Sequence, residues 1–191
     1  MPTKPRCIAY KIFVAAIVGS AFAVFFQDVR AEPSPASPEE AQLPADIRER
    51  SKKSAVHLYF SDRKNFFLMS EQRLLLHRDS PASLAQAIIE ALIKGPQEGL
   101  VRTIPSETMI NAVYIADDGI CYVDLSEAIS KNHPGGSQTE LLTVYSIVNS
   151  LILNIPEIER VKILIKGKEA LTVAGHIDLQ FPVKANMLLI R

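Results

Sequence analysis

Apolar and polar positions alternate along most of the chain in a way that predicts a series of short strands. Residues 55–60 are rich in β-branched and aromatic side chains, which suit the half-buried surface of a sheet. The sequence Asp117-Asp118-Gly119 separates two apolar runs and is typical of a β-hairpin turn. The predicted strands span residues 55–60, 66–69, 73–77, 108–116, 120–125 and 161–166, with residues 177–181 as the candidate for a last one.

Two amphipathic helices are predicted between these strands. The first begins at Pro81 and ends before Gly95, where a glycine followed by a proline stops helical structure. The second runs from Ser137 to about Asn154, and the spacing of Ser137 and Glu140 matches a capping box. Its apolar residues are predicted to face inward, opposite a polar stripe that consists of Thr139, Thr143, Ser146 and Ser150.

The order of these elements predicts an α+β fold. Strands, a helix, a hairpin, a second helix and a further strand favour two helices packed on one face of a mixed, mainly antiparallel sheet. A length of 191 residues leaves room for one such domain and an extension. We therefore assign residues 54–191 to a single domain.

The extension begins like an export signal. An uncharged apolar stretch over residues 12–26 follows basic residues that include Lys4 and Lys11, and this is the arrangement that export machinery recognises. The stretch is longer than many signal-peptide cores and shorter than the roughly 20 residues of a full membrane span. Residues 1–31 are therefore predicted to be a signal anchor or, as the alternative, a signal peptide cleaved near Ala31.

Residues 32–53 are predicted to be a tether between this segment and the domain. Pro33, Pro35 and Pro38 alternate with serine and alanine, a composition that favours extended and solvated chain. No cysteine directly follows the apolar stretch, which argues against lipid attachment. The domain is expected outside the cytoplasm, in a single-pass membrane protein or, if the signal is cleaved, in a periplasmic or secreted one.

The charge and cysteine content exclude several classes of partner and cofactor from the prediction. Basic and acidic residues number 21 each, so the net charge is zero and gives no electrostatic reason to expect nucleic acid. Cys7 and Cys121 lie on the two sides of the apolar stretch and cannot staple the domain. The sequence contains no Cys/His spacing typical of a metal site, and no cofactor is predicted.

Candidate catalytic residues are few. The sequence contains no nucleophile elbow, zinc-protease motif or phosphate-binding loop. If residues 175–181 form a strand, His176 and Asp178 share a face and could orient an imidazole, or they are a polar surface pair. Asp124 and Glu127 flank Ser126, where they could perform acid–base chemistry or bind a cation, or cap the turn after the strand.

Glu71 and Arg73 are the remaining charged candidates. Because they are two residues apart in an extended segment, their side chains share a face. They either bind a partner or pair with other surface charges. The candidate interaction or ligand surface of the chain therefore consists of Glu71, Arg73, Asp124, His176 and Asp178.

An ordered series of motifs resembles the GerMN domain of the sporulation and germination GerM family. The series comprises VHLYF at 56–60, EQR at 71–73, KGP at 94–96, VDLS at 123–126, GGS at 135–137 and VKILI at 161–165. The resemblance implies a fold similar to the ring-building modules of envelope machines and an exported, membrane-tethered protein. This chain carries one copy of the domain and lacks the lipid-attachment cysteine often found in the family, so a link to sporulation stays open.

The resemblance also implies a function without catalysis. It favours an interaction or assembly module of the bacterial cell envelope, with envelope proteins or further copies of the chain as partners. A second hypothesis is an extracytoplasmic domain that binds cell-wall glycan or a small ligand in a concave pocket, although the absence of tryptophan weighs against sugar stacking. A hydrolase is the third hypothesis, and requires His176, Asp178, Asp124 or another acid to converge on a cleft.

Overall fold

The structure is a computed structural model that describes residues 53–191. The predicted signal segment and nearly all of the tether lie outside the described residues. Among the described residues, no helix is both long enough and apolar enough to cross a bilayer. The elements in chain order are β1 (Lys53–Ser61), β2 (Leu68–Leu76), α1 (Pro81–Lys94), β3 (Ile110–Ile115), β4 (Ile120–Leu125), α2 (Ala128–Lys131), α3 (Ser137–Ile152), β5 (Arg160–Ile165), β6 (Lys168–Glu169) and a 3₁₀ turn (Met187–Leu189).

The strands form two sheets rather than the single sheet predicted. β1 and β2 make an antiparallel hairpin. The other sheet has the order β3-β4-β5-β6, in which β4 and β5 are parallel and the remaining neighbours are antiparallel. The α+β class and the mixed, mainly antiparallel pairing are therefore confirmed, while the single sheet is wrong.

The core lies on one face of the four-stranded sheet. Alternate residues of β4 point to this face, because side chains alternate between the two faces of a strand. Both α1 and α3 contribute side chains to the same cluster, and the two helices cover this face together. Full burial of each large aliphatic side chain contributes about 1.5–3 kcal/mol. The fully buried residues of this cluster include Cys121, Val123 and Leu125 of β4, Ile88 and Leu92 of α1, and Ile147 and Leu151 of α3.

Two strand predictions differ from the structure. The predicted strands at 66–69 and 73–77 are one continuous strand, β2, whose polar residues also pair with β1. Residues 177–181 form no strand, because the main chain turns there. The carboxylate of Asp178 accepts a hydrogen bond from the N–H of Gln180 at 2.8 Å, which stabilises this turn.

The start of α3 also differs from the prediction. The N-cap is Gly136, at φ = 85°, and no side chain caps the helix. A positive φ of this kind favours glycine because other residues are strained there. Ser137 is exposed, and the side chain of Glu140 is directed to a different part of the domain. The predicted capping box is therefore wrong.

The polar stripe of α3 faces the protein rather than solvent. Ser146 and Ser150 are fully buried. The hydroxyl of Ser150 accepts a hydrogen bond from the N–H of Tyr59 at 3.0 Å, and the hydroxyl of Ser146 donates one to the carbonyl of Tyr59 at 2.6 Å. Side chains of α3 thus provide hydrogen-bond partners for main-chain groups on the outer edge of β1, which would otherwise be buried without partners.

The same edge of β1 is paired along the rest of its length. The amide of Asn154 accepts from the N–H of His57 at 2.8 Å and donates to its carbonyl at 2.7 Å. At the other end of the strand, Ser61 and Val101 exchange main-chain hydrogen bonds at 3.1 and 2.8 Å. β1 is therefore held between β2 on one side and, on the other, side chains of α3, the side chain of Asn154 and the main chain of Val101.

Replacing Ser146 by alanine tests this arrangement. Ser146→Ala leaves the buried carbonyl of Tyr59 without its donor, so the free energy of unfolding should fall by about 1–3 kcal/mol. Ser137→Ala is the matched control in the same helix and should change stability by less than about 0.5 kcal/mol. Urea unfolding followed by circular dichroism measures both. A loss of about 1 kcal/mol at Ser137 would instead support the capping box.

Candidate functional site

A buried carboxylate on α3 holds the loop that precedes the C-terminal segment. Glu140 is fully buried. One of its oxygens accepts hydrogen bonds from the N–H groups of Val173 and Ala174, both at 2.8 Å, and the other accepts from the N–H of His176 at 2.8 Å. The charge of the carboxylate is thereby compensated by main-chain donors, as a buried charge requires.

The same contacts determine the ionisation of Glu140. Burial alone raises the pKa of a carboxyl group, but the main-chain donors of the loop outweigh this effect and hold the pKa of Glu140 below its ordinary value of 4.5. Glu140 is therefore ionised at neutral pH, and its lone pairs are occupied. Both properties make it a poor general base.

Two imidazole rings lie around Glu140. The Nδ1 of His176 is 3.1 Å from a carboxylate oxygen of Glu140, and this ring is about half exposed. His133 lies deeper, where its Nδ1 accepts from the N–H of Gly135 at 3.0 Å and its Nε2 is 3.0 Å from the hydroxyl of Thr143. Burial lowers the pKa of His133, and the charge of Glu140 offsets part of that effect. This cluster was not predicted from the sequence, because Glu140 matched a capping box.

A second buried carboxylate holds the turn after α1. Glu71 is only 1% exposed and accepts hydrogen bonds from the N–H groups of Gln97 and Glu98, both at 2.9 Å. Arg73 forms an ion pair with Glu71 and donates to the carbonyl of Gly95 at 2.9 Å. Burial acts to raise the pKa of Glu71, but these donors lower it overall. The structure thus places this predicted surface pair inside the domain, where it fixes a turn.

The remaining predicted site residues bind separate parts of the chain. A carboxylate oxygen of Asp124 accepts from the N–H of Gly167 at 2.7 Å, which fixes the turn between β5 and β6. His176 bonds to Glu140, while Asp178 bonds to Gln180, so the predicted pairing of His176 with Asp178 is not formed. The reason is that residues 177–181 turn rather than extend, and their side chains therefore do not share a face.

The described residues offer open grooves but no assembled metal site. Within residues 53–191, no group of three or more histidine, cysteine or acidic side chains could hold a metal ion. Burial raises the pKa of the Cys121 thiol to about 12, so it carries no thiolate at neutral pH. A groove of about 660 Å³ lies between the start of α1 and the turn between β3 and β4, and is lined in part by Asp117, Asp118, Glu157 and Glu159.

A smaller groove of about 370 Å³ lies between α1 and the start of β3. Apolar residues, including Ile93 and Met109, line it together with Gln86, Glu90 and Lys94 of α1. Thr108 also lines it, and is 4% exposed with a hydroxyl that has no hydrogen-bond partner among the described residues. A buried hydroxyl without a partner is costly, and this favours a bound molecule beside Thr108.

Replacing Glu140 by glutamine tests the role of the buried carboxylate. Glu140→Gln removes the charge and brings amide hydrogens towards main-chain donors, so the free energy of unfolding at pH 7 should fall by about 2–4 kcal/mol. His176→Ala is the control, since it keeps the main-chain bonds to Glu140, and should cost less than about 1 kcal/mol. Equal stability of Glu140→Gln and the parent chain would contradict this role.

The pH dependence of unfolding gives an independent measurement. The pKa of Glu140 is lower in the folded chain than its unfolded value of about 4.3, so its contribution to stability is present above that pH and is lost as the pH falls through the folded pKa. The parent chain should therefore lose stability below about pH 4, where Glu71 contributes in the same sense. The Glu140→Gln variant should show a shallower loss over the same range.

Comparison with known structures finds a similar fold in a sporulation protein. The first GerMN domain of the sporulation protein GerM from Bacillus subtilis is 22% identical to this chain, with a TM-score of 0.56, over 71% of this chain and 98% of that domain. The tandem GerMN domains of the same protein are 22% identical with a TM-score of 0.55, over 71% of this chain and 46% of the tandem. The chain thus spans about half of the tandem.

A protein of Clostridium perfringens, provisionally described as a lipoprotein, is 26% identical with a TM-score of 0.51, over 70% of this chain and 89% of that protein. No curated protein gives a significant match. The family model described as "Germane: Sporulation and spore germination" matches residues 57–171, which is more than half of the chain. The resemblance drawn from the ordered motifs is therefore confirmed, and the chain belongs to the Germane family as a GerMN-domain protein.

Proposed function

We propose that this chain is a membrane-tethered module that acts outside the cytoplasm through protein–protein contacts in the bacterial cell envelope, without catalysis of its own. The family membership supports a role in sporulation or germination. The similarity to a Clostridium perfringens protein described as a lipoprotein supports attachment to a membrane. The basic and apolar residues at the start of the chain support export.

One observation carries this proposal: the charged candidate side chains hold the domain's own loops, whereas large apolar side chains are exposed. Glu71, Glu140 and Asp124 each accept hydrogen bonds from main-chain N–H groups. Leu74 and Leu76 are 63% and 60% exposed and, being two residues apart in β2, lie on the same face. Further exposed apolar residues are Phe66, Tyr114, Leu171, Phe181, Met187 and Leu188.

Exposed apolar surface of this kind is typical of interaction sites. A catalytic site needs groups whose lone pairs or protons are free to react with a substrate. The carboxylates described here are engaged by their own main chain instead. The surface therefore favours association with another protein over acid–base chemistry.

Site-specific photo-crosslinking in cells tests the interaction. A photoreactive amino acid is placed in the full-length chain at Leu74, Phe181 or Leu188, and at the exposed Lys64 as the control. We expect at least one apolar position to give a discrete crosslink to an envelope protein that Lys64 does not give. Protease added to spheroplasts should digest the domain if it lies outside the cytoplasm. Weak, identical crosslinks from all positions, or protection from protease, would contradict the proposal.

The groove beside Thr108 favours a second candidate function, binding of a small molecule or a cell-wall fragment. Its unpartnered hydroxyl is the observation that supports this alternative. Thr108→Val removes the hydroxyl and keeps the shape, so stability should be unchanged or raised by about 1–2 kcal/mol. If the groove binds soluble wall fragments, NMR titration should show shifts in the parent chain that this variant loses. Unchanged spectra in the parent chain would exclude those fragments.

A further inference from the structure

The outer edge of β3 is open in the described part of the chain. β3 is the first strand in the order of its sheet and pairs only with β4. Main-chain groups alternate along an antiparallel strand between its two neighbours. The N–H of Ala116 donates a hydrogen bond to the carbonyl of Ile120 at the start of β4. Two residues earlier, the main-chain N–H and C=O of Tyr114 therefore also face β4. Val113 and Ile115 therefore direct their N–H and C=O groups outward, and no contact among the described residues pairs them.

Beyond the irregular pairing between Ile110 and Ala112, this edge lacks the features that usually prevent strands from associating. Proteins protect open edges with charged residues, prolines or covering segments. The sequence of β3 is INAVYI, which contains no charge and no proline. In contrast, the outer edge of β1 is closed by α3, and the edge strand β6 consists of Lys168 and Glu169. An open groove between α1 and the start of β3 also leaves this side of the strand accessible.

The exposed side chains of β3 complement a second copy of the same strand. Tyr114 is 61% exposed, and its ring lies 6.4 Å from that of Tyr122 on the neighbouring strand. If β3 pairs antiparallel with another β3 about a two-fold axis at Tyr114, Val113 lies opposite Ile115 of the partner subunit. Those are the residues with outward main-chain groups, so each such pair exchanges both of its hydrogen bonds.

We propose that two copies of this chain associate through β3, with Tyr114 facing Tyr114 of the partner subunit. The four-stranded sheets then join into one continuous sheet, and the tyrosines of β3 and β4 form a row across the joint. Directly opposed aromatic residues are a favourable cross-strand pair. A two-fold axis fits this edge because an antiparallel strand pair is self-complementary. The surface is short, so the association depends on the membrane tether of the proposed function, which raises the effective concentration.

Disulfide trapping in membranes tests both the edge and its register. The full-length chain carries Cys7→Ser, while Cys121 is fully buried and stays unreactive. In a two-fold pair centred on Tyr114, a Tyr114→Cys residue lies about 4.5–5.5 Å (Cβ to Cβ) from its counterpart, close enough to crosslink with slight adjustment. Ala112→Cys is the matched control on the same exposed face, since its counterpart lies four residues further along, about 13 Å away.

We expect mild oxidation to trap a dimer of Tyr114→Cys at least about tenfold faster than a dimer of Ala112→Cys. A further variant, Tyr114→Lys, places two positive charges on the two-fold axis. Chemical crosslinking should trap a dimer of the parent chain and no dimer of this variant, while the circular dichroism spectra of the two remain the same. Equal rates for the two cysteines, or no dimer with Tyr114→Cys, would overturn the proposal. In that case discrete crosslinks at Leu74, Phe181 or Leu188 would still support the proposed function, because those positions lie outside β3.

Discussion

The fold depends on one constraint, that the buried outer edge of β1 must have hydrogen-bond partners. A buried main-chain N–H or C=O without a partner costs as much as a lost hydrogen bond. In this chain the partners include Ser146 and Ser150 of α3, which pair with Tyr59, and Asn154 just after the helix, which pairs with His57. The position of α3 is thereby fixed relative to the hairpin as well as to the sheet. This explains why the polar stripe of α3 faces the interior of the domain rather than solvent.

The buried glutamates extend the same principle to the loops. Glu140 and Glu71 each receive several N–H groups from a loop that is distant in sequence, so a single carboxylate replaces a set of main-chain partners. Charge-assisted bonds of this kind are stronger than neutral ones. Because both carboxylates are engaged and have a lowered pKa, neither is suited to remove a proton. The engagement of these two carboxylates by the main chain therefore supports the proposed function without catalysis.

The edges of the two sheets differ in how they are completed. The outer edge of β1 is closed within the domain, and β6 carries a lysine and a glutamate that oppose further pairing. β3 has neither device, although its sequence is strongly suited to sheet formation. This difference between the edges is the reason why the proposed association is placed at β3. The exposed ring of Tyr114 lies on that side.

The sequence alone determined the elements whose signals are local. The hairpin at Asp117-Asp118-Gly119 and the helix beginning at Pro81 follow from turn chemistry and periodicity, and the ordered motifs correctly indicated the GerMN fold. Only the tertiary structure decided where the polar side chains point. Ser146, Glu71 and Glu140 read as surface or capping residues because their partners, the main-chain groups of β1 and of two loops, are far away in sequence. A hydrogen bond to such a distant partner does not affect the periodicity of apolar and polar residues, so the sequence pattern could not predict it.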